Sequence, residues 1–227
     1  MNALDVSQFC FGYNSGDVLQ DITFSVKPGE TVGLIGANGS GKSTLLWAIA
    51  GLLEGSGEIK VWGETPRRGW RRIGMVFQNP EDQLFMPTLA QDLALRLVNI
   101  GLEKSTAEAQ AIAQLQRFGL EGCARRSAAH LSLGQRKRAA IAAAMITAPD
   151  LLLVDEPTAE LDGRAVRDLI AVFQDGDSAK LIASHHLEFL TKVATRMIVL
   201  KDGCVAMDGP ASEVLRNDAL LDDAGLV

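Results

Sequence analysis

Apolar and polar residues alternate through Ile22-Thr23-Phe24-Ser25-Val26, the period of a half-buried strand, and Val18–Val26 is predicted as one. Lys27-Pro28-Gly29-Glu30 reads as a turn. Thr31–Ile35 reads as a buried strand, followed by a glycine-rich loop and an apolar helix from Ser43 to about Leu53. Gly57–Trp62 and Arg72–Phe77 read as further strands. The pattern then turns helical from Thr88 to Phe118, with Ser105-Thr106-Ala107-Glu108 matching a capping box. An alanine-rich helix over about Gly134–Thr147, a buried strand at Leu151–Val154 and a helix at Arg164–Phe173 come next. Strands at Lys180–Ser184, Arg196–Leu200 and Cys204–Met207, a short helix among them and a small helix in the tail from Ser212 complete the chain. Strands alternating with helices predict an α/β fold with a mostly parallel core sheet. An antiparallel β region precedes it, and an α-helical subdomain at approximately 87–135 is inserted within a single domain spanning 1–227.

Apolar residues make up 47% of the 227 and charged residues 22%, values of an ordinary globular chain. The formal net charge of -6 argues against nucleic acid as a partner, since that shows as a basic stripe. The apolar runs fall short of the roughly 20 residues a membrane-spanning helix needs. Met1–Phe9 lacks the basic and apolar regions of a signal peptide. Cys10, Cys123 and Cys204 are scattered and odd in number, the pattern of free thiols in a reducing compartment rather than disulfides or a zinc site. A soluble, cytoplasmic protein is expected, with any membrane role exerted through partners.

Gly36-Ala37-Asn38-Gly39-Ser40-Gly41-Lys42-Ser43 matches the phosphate-binding P-loop and sits between a predicted strand and helix, as that motif requires. Its glycines let backbone N–H groups turn inward around an anion, and the following helix points its positive end there. Lys42 is expected to reach the β- and γ-phosphates, Ser43 to ligate magnesium, and Thr44 to complete the stretch on ATP. Leu151-Leu152-Leu153-Val154-Asp155-Glu156 reads as a buried parallel strand ending in two acids. Ligands of α/β sheets sit at the strands' carboxyl ends, so Asp155 should arrive beside the P-loop and hold magnesium. Glu156, one residue on, is placed to polarise the water that attacks the γ-phosphate.

Leu131-Ser132-Leu133-Gly134-Gln135, followed by the basic run Arg136-Lys137-Arg138, resembles the signature LSGGQ of ATP-binding cassette (ABC) proteins. The order of P-loop, Gln78, signature, Leu151–Glu156 and His185 is that family's order, and the resemblance covers nearly the whole chain. It implies the P-loop NTPase fold of ABC ATPases, with ATP hydrolysis and Mg2+. It implies that Tyr13 stacks on adenine, and that Gln78 touches magnesium and the attacking water and connects to the transport partner. Asp162 would lie in a dimer-interface loop, and His185 would hydrogen-bond the γ-phosphate. Ser132, Gly134 and Gln135 of one copy would cover the nucleotide of another, giving a head-to-tail homodimer or a pair with a paralogous ATPase. Two departures stand out. Leu133 replaces a usual glycine, which would weaken the contact in trans, and His186 replaces a usual acid, leaving two candidate switch histidines of which spacing favours His185.

Phe77-Gln78-Asn79-Pro80-Glu81-Asp82-Gln83-Leu84-Phe85 resembles the corresponding segment of energy-coupling factor (ECF) transporter ATPases, importers of vitamins and of cobalt or nickel ions. That resemblance implies a transmembrane scaffold docked at the Gln78-Glu81-Asp82 region, with scaffold arginines on the two acids. A separate capture component would bind the substrate, and the ATPase would lie on the inner face of the membrane. The compact chain leans toward a biotin system. The alternatives are an ABC transporter subunit outside the ECF group and a soluble ABC ATPase acting on DNA or ribosomes. The short interval between Thr44 and Leu131, lacking heptads, and the acidic charge weigh against the second; the signature weighs against a P-loop kinase or GTPase.

Overall fold

The computed structural model describes residues 1–14 and 16–226. The chain opens with a hairpin of β1 (Leu4–Tyr13) and β2 (Gly16–Val26). The sequence pattern does not delineate β1, because the strand is irregular. Gln8 adopts φ 48, its N–H leaves the ladder for Thr23 Oγ1 at 2.9 Å, and the register slips between Val6 and Phe9. Such a bulge destroys the period of two. β2 carries the predicted alternation, with Ile22, Phe24 and Val26 buried, and begins two residues before Val18.

β3 (Thr31–Ile35) leads through the glycine-rich loop into α1 (Lys42–Ile49), which is shorter than the apolar run through Leu53 suggests. Gly51, at φ 77, reverses the chain there. β4 (Ser56–Val61) returns to pair antiparallel with β1, giving a three-stranded sheet of order β2-β1-β4. β5 (Ile73–Val76) then enters the main sheet.

Between β5 and β6 lies a helical layer of α2 (Leu89–Asn99), α3 (Lys104–Arg117) and α4 (Leu133–Met145), with its own apolar cluster centred on Leu89, Leu93, Ala111, Leu115 and Ala139. The Thr88–Phe118 stretch is thus two helices, broken where Gly101 takes φ 104. The capping box expected at Ser105–Glu108 does not form. Glu103 caps α3, its carboxylate accepting the N–H of Ser105 at 2.9 Å and of Thr106 at 3.1 Å, so Ser105 already lies in the first turn. The reciprocal box occurs at α4, where Ser132 Oγ accepts the Gln135 N–H and Gln135 Oε1 accepts the Ser132 N–H.

β6 (Leu151–Asp155), α5 (Gly163–Gln174), β7 (Ala179–Ala183), α6 (Leu187–Val193), β8 (Arg196–Lys201) and β9 (Cys204–Pro210) complete a six-stranded sheet of order β5-β6-β7-β3-β8-β9. All neighbours run parallel except β9, which pairs antiparallel with β8. β6 and β7 are buried at every residue, as layers on both faces demand. One apolar cluster, with α1, fills the space toward the antiparallel sheet. A second packs α5, α6 and the terminal helices α7 (Ala211–Val214) and α8 (Asp218–Asp223) on the opposite face. The carboxyl ends of β3, β7 and β6 therefore emerge side by side: Ser184 N–H donates to Leu34 O at 3.2 Å and Glu156 N–H to Ala183 O at 2.9 Å.

Candidate active site

The loop leaving β3 owes its shape to glycine. Gly36 has φ 157, and a Cβ there would fall 2.2 Å from Leu200 O and 2.6 Å from Ser40 Oγ. Gly41, at φ 102, forms the N-cap of α1, and its Cβ would lie 2.7 Å from Leu19 Cδ2. Any side chain at either position would push the loop out of its turn. The loop therefore curls over the start of α1 and bounds a cleft of about 460 Å³. Asn38, Gly39, Gly41, Lys42, Ser43 and Thr44 line it from the loop side, Gln78, Glu156 and His185 from the strand ends. Val18 of β2 closes one wall; sequence reading missed it, because it counts there as an ordinary strand residue.

Lys42 is buried and folds back, its ammonium donating to Gly36 O at 2.8 Å and Ala37 O at 3.0 Å. Burial pushes this ammonium below its ordinary pKa, while Glu156 and Asp155 pull it back up. Asp155, at the end of β6, is 2% exposed. Burial pushes its carboxyl above the ordinary value, against a hydrogen bond from Ser43 that lowers it. Its Oδ1 is buried without a hydrogen-bond partner. Glu156 takes a left-handed backbone, φ 44, directly after the strand, which swings its carboxylate toward the cleft. There it accepts the His185 N–H at 3.1 and 3.3 Å and meets His185 Nδ1 at 2.9 Å. His186 faces elsewhere, its ring stacked on Phe189 with centroids 6.4 Å apart.

The orphaned Asp155 oxygen next to a serine hydroxyl suits a hard divalent cation, which takes oxygen donors and keeps part of its water shell. Among the described residues no three His, Cys, Asp or Glu cluster to hold a metal by themselves. A cation at Ser43 and Asp155 would therefore complete its shell from water and phosphate, with Gln78 across the cleft.

Not every expected residue stands in the cleft. Tyr13 is 44% exposed on the antiparallel sheet, its ring edge-on to Phe11 at 4.9 Å, and does not line the cavity. Ser132, Gly134 and Gln135 lie outside it, at the start of α4. Leu133 adopts ordinary helical backbone as the first residue of that helix, so the position needs no glycine for its own conformation. Asp162 caps α5, its carboxylate accepting the Ala165 N–H at 2.8 Å. Glu81 meets Arg136 of α4 at 3.3 Å.

Residues 19–159 match the ABC transporter family. The chain belongs to it. A putative ABC transporter ATP-binding protein, GSU1281, of Geobacter sulfurreducens is 38% identical, the alignment covering 96% of this chain and 90% of that protein. The energy-coupling factor transporter ATP-binding protein EcfA of Methanothermobacter thermautotrophicus is 34% identical over 98% of this chain and 76% of its own. The structure of cbiO1 from Clostridium perfringens, part of the ABC transporter complex cbiONQ, superposes with a TM-score of 0.82 at 29% identity, covering 99% of this chain and 95% of cbiO1. The α/β ABC-ATPase fold with a mostly parallel sheet is thus established. As an ABC ATPase, the protein binds ATP with Mg2+ and couples its hydrolysis to transport across a membrane. No helix among the described residues is long and apolar enough to cross a membrane.

Proposed function

We propose that this chain is the ATPase of an ECF-type importer, lying on the inner face of the membrane and working as a head-to-tail pair. The observation that carries the catalytic part is one cleft lined by Lys42 and Ser43 from the start of α1 and by Glu156 just after β6, with Asp155 buried at the end of that strand and hydrogen-bonded by Ser43. Phosphates entering the loop give the Lys42 ammonium a better acceptor than the two carbonyls it now holds, and they draw it onto the β- and γ-oxygens. Ser43, Asp155 and Gln78 would hold a divalent cation, which would supply positive charge against the phosphates. Glu156 orients a water in line with the γ-phosphorus and accepts its proton. His185, already on that carboxylate, hydrogen-bonds the γ-phosphate and reports its presence to the base. Tyr13 supplies the adenine platform from the rim.

Ser132, Gly134 and Gln135 stand at a helix start whose first N–H groups have no partners within the helix. Outside its own cleft, this surface suits the γ-phosphate held by a second copy. Two nucleotides then join two subunits and hydrolysis parts them. Leu133 extends the helix without strain but adds bulk at the contact, so the pair should be weaker than one with glycine there.

The ECF assignment rests on Phe77–Phe85 and on the likeness to EcfA. Behind Gln78, Phe85 is 68% exposed beside a groove of about 330 Å³ that includes Trp70, Phe77 and Leu52. Aromatic and aliphatic walls next to acids suit a short amphipathic scaffold segment carrying arginine. Because Glu81 is engaged by Arg136, Asp82 becomes the more available carboxylate for that guanidinium. The cargo, a vitamin or a cobalt or nickel ion, meets the capture component and touches nothing in this chain.

Glu156→Gln should keep ATP binding, remove most turnover and trap an ATP-bound dimer; wild-type turnover would exclude Glu156 as the base. Reversing charge at Glu81 and Asp82 together should abolish co-purification with the scaffold and leave nucleotide binding intact. Unchanged assembly would reject this docking site.

A further inference from the structure

Glu156 is fastened at every polar group it has. Its N–H donates to Ala183 O, its carboxylate takes the His185 N–H, and its carbonyl accepts from Lys137 Nζ at 3.1 Å. The fastening has a purpose: at φ 44 a residue with a side chain occupies the left-handed region, held there only when its surroundings impose it. Lys137 sits in α4 just beyond the signature and is 5% exposed.

A buried ammonium is a costly filler. Carboxylates of Glu160, Glu156 and Asp155 offset its charge, yet a methionine of similar length would pack there with no charge to compensate, and such replacements are often neutral or stabilising. Packing therefore does not account for a lysine. What lysine contributes and methionine lacks is the hydrogen bond to the Glu156 carbonyl. The same helix is tied to the segment that carries Gln78: Gln83 Nε2 donates to Ala140 O at 2.7 Å, and Gln83 Oε1 accepts the Phe77 N–H at 3.3 Å.

We infer that Lys137 is a positioning residue for Glu156, pinning the backbone of the base to the signature helix. When the start of α4 engages the nucleotide of a second copy, a shift of the helix reaches the base through this bond, the side-chain donor on a carbonyl that also accepts the Ala159 N–H at 3.4 Å. Each copy's base is thereby set by the other copy's nucleotide. The inference rests on the reading of Glu156 as the base and of the signature as the contact in trans.

Steady-state hydrolysis by Lys137→Met tests it, in protein assembled with its membrane partners. The expected result is a fall in kcat of about tenfold or more, with KM for ATP within about threefold and melting unchanged or raised. Lys137→Gln, which restores a neutral donor, should recover most of kcat. In a Glu156→Gln background, adding Lys137→Met should alter residual turnover by less than about twofold, because both changes act on one group. Should Lys137→Met fail to fold, Lys137→Ala carries the same expectations for kcat and KM, with a lower melting point from the space it leaves. Wild-type kcat in the donorless variant, no recovery by Lys137→Gln, or a further tenfold loss in the Glu156→Gln background would each overturn the role of Lys137. The two readings fail separately. Wild-type turnover by Glu156→Gln removes the base itself, whereas an inactive Glu156→Gln beside a fully active Lys137→Met removes only the positioning.

Discussion

Replacing Asp155 by asparagine should make the ligand-free protein more stable while destroying its response to Mg·ATP. Burial dominates at this carboxyl and outweighs the opposing Ser43 hydrogen bond and the Lys42 and Lys137 charges, so the ionised form is disfavoured on folding. One carboxylate oxygen also lacks any partner, and since leaving a buried acceptor unsatisfied costs more when it is charged, removing the charge should recover about 1–2 kcal/mol. Asparagine removes the charge while keeping the shape. At about 2–4 °C per kcal/mol for a chain of this length, melting without nucleotide and with a chelator should rise by roughly 2–8 °C. The sign follows from linkage. A carboxyl raised on folding gives stability that is present below its unfolded pKa and lost as pH rises through its folded pKa. The gap between variant and wild type is therefore full above the folded pKa and narrows on acidification toward the ordinary aspartate value. With Mg·ATP at about 100 times Kd, wild type gains about 2.7 kcal/mol and the variant should gain little, so the order of melting points inverts. A ligand-free variant that melts at or below wild type would show that the buried charge of Asp155 is not a stored cost. It would also remove the reason for placing a cation there.

Lys42→Ala should weaken ATP binding itself, measured by equilibrium titration; an unchanged Kd with only kcat reduced would contradict its phosphate contact. Gly36→Ala should lose at least about tenfold in nucleotide affinity and melt lower, the clash with Leu200 O costing about 1–3 kcal/mol, and normal affinity would deny that the loop needs its turn. Leu153→Ala, in the fully buried strand β6, should cost about 2–5 kcal/mol in denaturant unfolding without a change in m value. Thiol titration of the native protein should label exposed Cys204 fast, half-buried Cys10 slowly and buried Cys123 only on unfolding; three equal rates would contradict these burials.

The nucleotide cleft was readable because its chemistry is contiguous. Gly36–Ser43 supplies loop, cation and helix start in one run, and Leu151–Glu156 supplies a strand too apolar to be anything but central, with its acids at the end where ligands gather. Elements that depend on long-range accommodation were not. β1 hides because its bulge at Gln8 spoils the alternation, and that bulge exists only in company with Thr23 of β2. The start of α3 was misplaced because Ser105 and Glu108 fit a capping pattern that Glu103, two residues earlier, satisfies first. Local spacing permits both caps, and geometry chooses.

Lys137 belongs to the same class of hidden residues, with an instructive difference. Within Arg136-Lys137-Arg138 it reads as one of three solvated charges. Yet it lies four residues before Ile141 and seven before Ala144, both buried, which places it on the inward stripe of α4. A charged residue on an apolar stripe must have an answering group, and in this fold the answer is a carbonyl at the one position beside the P-loop where the backbone turns left-handed. Two local anomalies, each unremarkable alone, thus meet: the Glu156 carbonyl answers the buried lysine, and the lysine joins the Ala159 N–H, at 3.4 Å on the same carbonyl, in holding the left-handed turn. That bond joins the signature helix to the turn after β6, although no residue of α4 lines the cleft. On the proposed reading, in which a neighbour's helix closes the site, the group that senses the neighbour and the group that does the chemistry sit on different elements, and this bond is the tie between them.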